Sequence, residues 1–382
     1  MKVGVCFVLI TGLALLNSCG KVVSPEHIDE KVEVNNNIGQ LNAHLQKVDA
    51  VQLPFKAVSK NSSELNFLLH ADVAPLQWGD KILHAVHVTL NGDFAYVAYA
   101  TPQQEYVGGV EIINIAEVSQ PKILSRMIFT EADITIVMQS ENRVFVGGAA
   151  NSDKIDNISS PAVFAIVELD AGLLTGNYEI FDLPSYNAND IVIVDQTALI
   201  TTGTTNGGLA IFDLHNKKHA FTPVNGAKAL EVSRDGIYVM EGTGTKLHSF
   251  STLDTAFMET ISLGCDNMFQ SKAETDLKGD ILFFSSGACG LKAIDLQTKE
   301  ICYEYAIPGG GHCNGVSVND SLVFLANDTS GLAVLKIDAE GLELLGSISF
   351  GASVNYVISR GNKLFVAAAE EGLKIIEITP EP

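Results

Sequence analysis

Eight polar or charged residues precede or open short apolar segments that recur along the chain. They are His84, Asp133, Asn189, Asp190, Lys228, Asn267, Asn314 and Asn355. Carboxylate and amide oxygens ligate hard cations such as calcium, and the same groups hydrogen-bond a sugar or a peptide carboxylate. If the segments converge at one end of the fold, these residues form a ligand-binding site. The other interpretation is structural, because such side chains also cap strand ends and solvate a water-filled channel.

The apolar segments belong to a unit that occurs seven times. A core of apolar residues, usually opened by glycine, begins at positions 109, 163, 208, 244, 290, 331 and 372. The steps between successive starts are 54, 45, 36, 46, 41 and 41 residues, which is the length of a four-stranded propeller blade. The sequence therefore predicts an all-β, seven-bladed β-propeller. In that fold the eight polar residues lie where the inner strands begin, on one face around an axial channel.

The end of the chain predicts how the ring closes. The sequence stops just after a third strand, with Pro380 and Pro382 beyond it, so the last blade lacks an outer strand. The apolar run 65–70 precedes the first inner strand and is the best candidate for the missing one. We expect this N-terminal strand to pair with residues 372–378 and close the last blade, which removes exposed sheet edges. The propeller domain then spans residues 63–382.

The repeated Gly-Leu-x-Ile-x-Asp-Leu/Ile cores resemble those of LVIVD-repeat β-propellers. The match is closest in the units that begin at Gly208, Gly290, Gly331 and Gly372, and it covers residues from about 82 to 378. Such propellers occur on bacterial and archaeal surface proteins, commonly without an assigned activity. The resemblance thus implies a fold and a cell-envelope location, and it implies no particular chemistry.

No catalytic arrangement can be identified from residue spacing. The Ser-x-Asp-x-Gly-x-Thr-Trp turns of sialidase-like propellers are absent, and Trp78 is the only tryptophan available as a platform for a sugar. Propeller active sites assemble from distant loops, so a hydrolase or lactonase that uses an axial Asp/Asn cation site is the alternative to a binding role. The sequence favours the binding role and assigns no enzymatic activity.

The N-terminus has the features of a targeting segment. Lys2 is followed by the apolar run 3–16, and residues 16–20 (Leu-Asn-Ser-Cys-Gly) resemble a bacterial lipobox. We expect residues 1–18 to be a lipoprotein signal peptide, Cys19 to be lipidated, and residues 19–62 to form a polar tether. Gly20 after the cysteine implies the outer membrane, on its periplasmic or its surface-exposed side. The alternative is an ordinary secretory signal that contains a cysteine.

The cysteines after Cys19 lie in two neighbouring units. Cys265, Cys289 and Cys313 belong near one face, whereas Cys302 lies on an outer strand. An extracytoplasmic location permits oxidation, so we expect one disulfide, in which Cys289 pairs with Cys265 or Cys313. The alternative is a metal held by Cys289, His312 and Cys313, although the close cysteine pairs typical of metal sites are absent.

The charge of the chain excludes one class of partner. With 45 acidic against 24 basic residues, the net charge is −21, which repels nucleic acid. No cofactor is expected, and calcium is the cation that the axial residues would take. The predicted function is a lipid-anchored, extracytoplasmic propeller that serves as a binding or assembly module for a protein or glycan partner.

Overall fold

A computed structural model describes residues 31–58, 65–102, 105–242, 245–252, 255–265, 272–308 and 311–380. An N-terminal arm comes first, with β1 (Val32–Asn35), α1 (Ile38–Leu41), a 3-10 turn (Asn42–His44), β2 (Leu45–Gln52) and β3 (Phe55–Ala57). Two strands, β4 (Leu65–Val73) and β5 (Leu76–Trp78), then lead into the ring. None of the helices among these residues has the length and apolarity needed to cross a bilayer.

Seven antiparallel sheets follow in chain order. Blade 1 contains β6 (Lys81–Asn91), β7 (Phe94–Ala100), β8 (Gly108–Asn114) and β9 (Lys122–Phe129). Blade 2 contains β10 (Ala132–Ser140), β11 (Arg143–Ala150), β12 (Ala162–Asp170) and β13 (Leu173–Asp182). Blade 3 contains β14 (Asn187–Val194), β15 (Thr197–Gly203), β16 (Gly208–Asp213) and β17 (Lys218–Pro223). Blade 4 contains β18 (Ala227–Val232), β19 (Ile237–Glu241), β20 (Lys246–Phe250) and β21 (Phe257–Ser262).

The remaining three blades complete the ring. Blade 5 contains β22 (Thr275–Lys278), β23 (Ile281–Ser285), β24 (Leu291–Asp295) and β25 (Glu300–Tyr305). Blade 6 contains β26 (Gly315–Val318), β27 (Leu322–Ala326), β28 (Leu332–Asp338) and β29 (Gly341–Ile348). Blade 7 contains β30 (Tyr356–Arg360), β31 (Lys363–Ala367) and β32 (Leu373–Pro380), and β4 is its fourth strand. Each inner strand contacts the inner strand of the next blade, and β30 contacts β6. The fold is the seven-bladed β-propeller that the repeat predicts.

The second strands are apolar because neighbouring blades cover both of their faces. In β27, Phe324 and Leu325 are both fully buried. Phe324 packs in the cluster shared with blade 7, whereas Leu325 packs in the cluster shared with blade 5. Alternate residues of one strand therefore support opposite neighbours, and each such side chain stabilises the fold by about 1.5–3 kcal/mol through burial.

Glycine opens the third strands of blades 5, 6 and 7 for a steric reason. Gly290, Gly331 and Gly372 have φ values of 82°, 86° and 72°. A Cβ on Gly331 would lie 2.2 Å from the carbonyl oxygen of Ile348 on the outer strand. These positions need a left-handed backbone at close approach to another strand, which only glycine provides without strain.

The predicted ring closure is confirmed. Strand β4 pairs antiparallel with β32, from Leu373 opposite Val73 to Pro380 opposite Leu65. Phe67 on β4 is fully buried between blades 6 and 7. The first strand of the ring therefore completes the last sheet.

The arm before this strand differs from the tether that the sequence predicts for residues 19–62. Its described part, residues 31–58, runs backwards around the ring as a fifth strand on three blades. Strand β1 pairs with β9 of blade 1, β2 pairs with β4 of blade 7, and β3 pairs with β29 of blade 6. Leu41 and Leu45 are buried against the ring, so apolar anchors and backbone hydrogen bonds hold the arm in place. The predicted signal peptide and Cys19 lie outside the described residues.

Candidate axial binding site

Two of the predicted axial residues use their side chains to join neighbouring blades. Asp133 Oδ1 accepts hydrogen bonds from the backbone N–H of Thr101 (2.9 Å) and from its hydroxyl (2.7 Å). Burial raises the pKa of Asp133 to about 6, although these hydrogen bonds oppose the shift. Asn189 Nδ2 donates to the carbonyl oxygen of Ala227 at 2.7 Å. Both residues have the strand-capping role of the structural interpretation.

Two further predicted residues also lie where blades meet. Asn355 Nδ2 donates to the carbonyl oxygen of Ala85 at 3.2 Å, across the join between blades 7 and 1. The backbone carbonyl of Asn314 accepts a hydrogen bond from Ser285 Oγ at 3.0 Å, between blades 6 and 5. Asn267 lies outside the described residues.

His84 lies at the rim of the mouth. Its Nδ1 is 3.9 Å from Glu370 Oε2, and the two side chains are 24% and 49% exposed. The last two predicted residues, Asp190 and Lys228, lie deeper, and they have charged neighbours that the sequence analysis did not select. The charged residues of the site therefore lie deeper than His84.

A group of buried and half-buried ionisable residues lies among the inner strands, and we refer to it as the axial cluster. Its members are His87 on β6, Asp190 on β14, Lys228 and Glu231 on β18, Lys272 and Glu274 before β22, Asp276 on β22, and Tyr356 on β30. They come from five blades and influence one another through their charges. The inner strands position them because successive residues of a strand alternate between faces.

Lys272 reaches across the ring. It belongs to the segment that enters blade 5, yet its Nζ donates to the carbonyl oxygen of Val86 in blade 1 at 2.6 Å. Burial lowers the pKa of Lys272 to about 8, and the charge of Lys228 adds to this shift while Glu274 opposes it. The side chain thus links two blades that are not adjacent and puts a cation beside the carboxylates.

Three carboxyl groups of the cluster have pKa values raised toward neutral pH. Glu274 is only 6% exposed, and burial, assisted by the negative charge of Asp190, raises its pKa to about 8. Burial raises the pKa of Glu231 to about 7, again with a contribution from Asp190. Burial also raises the pKa of Asp190 to about 6, although hydrogen bonds from backbone N–H groups oppose the shift. Each of these groups therefore gains or loses its proton near neutral pH.

Two of the carboxylates are fixed by hydrogen bonds from a neighbouring blade. Asp190 Oδ2 accepts from the N–H of Leu230 at 2.8 Å. Asp276 Oδ2 accepts from the N–H of Val318 at 2.6 Å and from Ser317 Oγ at 3.1 Å. Both interactions cross from one blade to the next, so the ring itself sets the positions of these carboxylates.

An aromatic pair closes the blade 7 side of the cluster. The rings of Tyr356 and His87 lie 4.2 Å apart, measured between centroids. Burial raises the pKa of Tyr356 well above its usual range, and the nearby carboxylates add to the shift. Burial lowers the pKa of His87, so its imidazole is neutral, and its Nδ1 lies 3.5 Å from the N–H of Val137.

The arrangement offers polar recognition and proton transfer. Buried carboxylates, amines and a phenol around one axis can bind a polar group of a partner and orient it. Carboxyl groups with pKa values near 7 also have the property required of a general acid or base. Within the described residues, no three histidine, cysteine, aspartate or glutamate side chains are placed so that they could hold a metal ion.

Sequence analysis missed most of the cluster although part of the signal was present. It selected only residues that precede or open the inner strands. Glu231 lies within β18, Asp276 lies within β22, and Glu274 directly precedes β22. Charged residues inside predicted inner strands were therefore the available sign. The face on which His87 lies could not be predicted from alternation, because a register shift between Ala85 and His87 changes the direction of its side chain.

The cysteines form one disulfide in the described part of the chain. It joins Cys265 to Cys289, whose Cα atoms are 6.2 Å apart. Cys313 is fully buried and takes no part in the disulfide, and burial raises its pKa, whereas Cys302 is a free cysteine on β25. The sulfur of Cys289 is thus engaged in a disulfide, so it is not the thiolate that a metal site with His312 and Cys313 would need.

The disulfide joins the residues that follow β21 to the turn before β24. It therefore fixes the start of the segment that enters blade 5. The other end of that segment is held where the N–H of Ser285 donates to the carbonyl oxygen of Glu274 at 2.9 Å.

Comparison with known proteins identifies the fold. No family model matches the chain, and no curated protein matches it. Among solved structures, the WD40 repeats of RRP9 superpose with a TM-score of 0.59 at 10% identity, over 86% of this chain and 100% of that one. BamB from Moraxella catarrhalis superposes with a TM-score of 0.53 at 13% identity, over 87% of this chain and 99% of that one.

A computationally designed protein, Ika8, gives a TM-score of 0.53 at 12% identity, over 87% of this chain and 98% of that one. The chain is a β-propeller. At such low identity the likeness concerns the fold alone. The resemblance to LVIVD-repeat propellers remains a prediction.

Proposed function

We propose that this protein is a lipid-anchored, extracytoplasmic propeller that binds a partner protein or glycan at the mouth of its axial channel. One observation carries the proposal: five blades contribute buried or half-buried ionisable groups to one cluster among the inner strands. Burying carboxylates and amines lowers the stability of the fold. Apolar residues at the same positions would not have this cost. Groups with strongly shifted pKa values that gather in a concave site are characteristic of functional sites.

The rim of the mouth offers a contact for a protein. Tyr186 lies in the segment that enters blade 3 and is 61% exposed, although its backbone N–H is tied to the carbonyl oxygen of Gly203. An exposed tyrosine on a fixed backbone is a common anchor of protein interfaces, since it buries a large surface at small entropic cost. Together with His84 and Glu370 it supplies apolar and polar contacts around the axial cluster.

The lipid anchor is proposed from the N-terminal sequence. The residues around Cys19 resemble a lipobox, and several acyl chains on one residue would hold the protein at a membrane permanently. Gly20 supports the outer membrane as the location. The arm then connects this anchor to the outer edges of blades 1, 7 and 6.

A second candidate function is a hydrolase or lactonase that uses the same axial site. The observation that favours it is the pKa of Glu231 at about 7 and that of Glu274 at about 8. These values suit proton transfer at neutral pH. The binding role is preferred because the cluster also contains two half-buried lysines and its aspartates are fixed by hydrogen bonds between blades.

The test is recovery of partners from the native envelope. The wild-type protein would be compared with the double variant Glu231→Gln, Glu274→Gln and with a control, Asp320→Asn, on an exposed turn between β26 and β27. Because glutamine keeps the shape of glutamate, the fold should survive, and thermal unfolding checks this. We expect the double variant to lose the partner and the control to retain it. Equal recovery by all three proteins would contradict the proposal, and turnover of ester or lactone substrates that the double variant abolishes would favour the hydrolase.

A further inference from the structure

The arm shows that the outer edges of this propeller accept an additional strand. Three separate strands of the chain, β1, β2 and β3, pair antiparallel with the outer strands of blades 1, 7 and 6. The strand β3 is only three residues long and β1 only four, so a short segment is sufficient. Within the described residues, the outer strands of blades 2 to 5 have no such cover.

We propose that the outer edge of blade 4, strand β21, binds an extended segment of a separate, basic protein as an added antiparallel strand. This surface lies on the circumference of the ring and is distinct from the axial mouth. The proposal therefore does not depend on the axial site. It concerns a second partner surface on the same protein.

Strand β21 contains no lysine, arginine or proline, and its edge is interrupted only by a register irregularity at Met258. Phe257 and Met258 at its start are 58% and 52% exposed, and Thr260 and Ser262 are uncharged. Its one charged residue, Glu259, already pairs with Lys299 at 3.3 Å. Natural edges are usually blocked by lysine, proline or other charged groups, and adjacent exposed apolar residues mark an interaction site.

The other uncovered edges carry such protection, and in blade 2 strand β13 has the exposed Glu179 and ends at Asp182. Strand β17 begins with the exposed Lys218 and ends with Pro223, which has no N–H to offer. Strand β25 exposes Glu300 and Glu304 on its outer side. This contrast between edges of one molecule singles out β21.

The backbone of β21 presents hydrogen-bonding groups outwards. The N–H of Leu263, just beyond the strand, donates inwards to the carbonyl oxygen of Thr245 at 3.0 Å. Because alternate residues of an antiparallel pair face the neighbouring strand, Ile261 also faces β20, and the N–H groups of Thr260 and Ser262 face outwards. A partner strand would bind to these two residues and cover the apolar side chains at the start of β21.

The charge of the protein indicates what kind of segment fits. With a net charge of −21, a second copy of this chain brings repulsion, whereas a segment rich in lysine or arginine is attracted. Addition of a strand relies on main-chain hydrogen bonds for affinity and on alternate side chains for specificity. The expected segment is therefore extended and basic, with an apolar side chain that packs on Phe257 and Met258.

The experiment uses the full protein and randomised peptides displayed on phage. A selected peptide would be measured by fluorescence anisotropy against the wild type, Thr260→Pro and Thr260→Ala. Both variants lose the contact between the Thr260 hydroxyl and His248 Nδ1 (3.1 Å), but only proline removes the outward N–H. We expect basic peptides whose affinity falls about tenfold with Thr260→Pro and stays unchanged with Thr260→Ala.

Two further measurements keep the proposal testable if the proline variant folds poorly. Met258→Lys should weaken the binding of a basic peptide more than Met258→Glu, because lysine repels the peptide and glutamate attracts it. Both substitutions should leave the fold intact, since the position is exposed. Bound peptide should slow hydrogen exchange at the amides of Thr260 and Ser262. The proposal is overturned if selected peptides leave these amides unprotected or bind Thr260→Pro as well as wild type. It is also overturned if β21 instead mediates a concentration-dependent dimer that Thr260→Pro abolishes.

Discussion

Replacing Glu274 with glutamine tests the electrostatics of the axial cluster through the pH dependence of stability. The pKa of Glu274 is raised from 4.5 to about 8 in the folded protein, mainly by burial. Between these values the folded state binds more protons than the unfolded state, so stability falls as the pH rises. Below pH 4.5 the carboxyl is protonated in both states and contributes no pH dependence.

The magnitude follows from the size of the shift. Each pH unit within the window changes the free energy of unfolding by about 1.4 kcal/mol for one proton, so raising the pH from 5 to 7 costs about 3 kcal/mol through Glu274. Glu231 and Asp190, whose pKa values are raised to about 7 and 6, act in the same direction and remain in the variant. The free energy of unfolding of Glu274→Gln should therefore fall less steeply with pH than that of the wild type, but it should not become independent of pH.

Lys272 sets the upper end of the profile. Its pKa is lowered from 10.5 to about 8, so between these values the unfolded state binds more protons and stability rises with pH. The wild type should thus have its lowest stability in this range near pH 8. Urea unfolding followed by fluorescence at a series of pH values measures both limbs.

A matched control separates the cluster from general charge effects. Glu300 is exposed on β25, and Glu300→Gln removes the same charge from the surface. We expect this variant to follow the wild-type profile. If Glu274→Gln and Glu300→Gln have the same slope between pH 5 and 7, the reasoning about the buried cluster is refuted.

Three other predictions concern the closure, the disulfide and the anchor. Phe67→Ala should lower the free energy of unfolding by about 3–5 kcal/mol because the ring is fully buried, whereas Phe257→Ala, at an exposed position, should have little effect in the same urea titration. Removing the Cys265–Cys289 disulfide by serine substitution should cost about 3 kcal/mol, since it closes a segment of 24 residues, and a thermal melt that matches wild type would contradict this. Cys19→Ala should release the protein from membranes in a fractionation experiment, and persistent membrane association would count against the lipid anchor.

Much of the fold could be predicted because its signals lie in side-chain patterns. The repeated core, with Gly331 as its clearest opening residue, reflects a backbone conformation that other residues disfavour. The closing strand was visible because the last unit lacks a fourth strand and the run at 65–70 is apolar. Phe67 on that run is buried as a closing strand requires.

The arm could not be predicted from the same signals. Strands β1 and β3 are held largely by backbone hydrogen bonds to the outer edges of the ring, and such pairing places few demands on side chains. The burial patterns of both strands show mostly exposed or intermediate residues, so their sequences look polar and irregular. The apolar anchors of the described arm, Val32, Leu41, Leu45 and Phe55, are spaced irregularly and pack on different blades, so they define no periodic pattern.

The residues selected from the sequence include only part of the axial cluster. Asp190 and Lys228 belong to the cluster, whereas Asp133 and Asn189 have structural roles between blades. The side chain of Lys272 reaches across the ring to another blade, and no local pattern records such a contact. Contacts across the axis depend on ring geometry, which becomes available only with the structure.

The most direct test of the account is where a partner touches the ring. A photo-crosslinking amino acid would be placed at Tyr186 on the mouth and, in a second protein, at Asp320 between β26 and β27, and each protein would be irradiated in the native envelope. The account predicts a crosslinked partner from position 186 that disappears with Glu231→Gln and Glu274→Gln, and none from position 320. A partner crosslinked at position 320 alone, or one at position 186 that is unaffected by the two substitutions, would contradict the assignment of the axial cluster as the binding site.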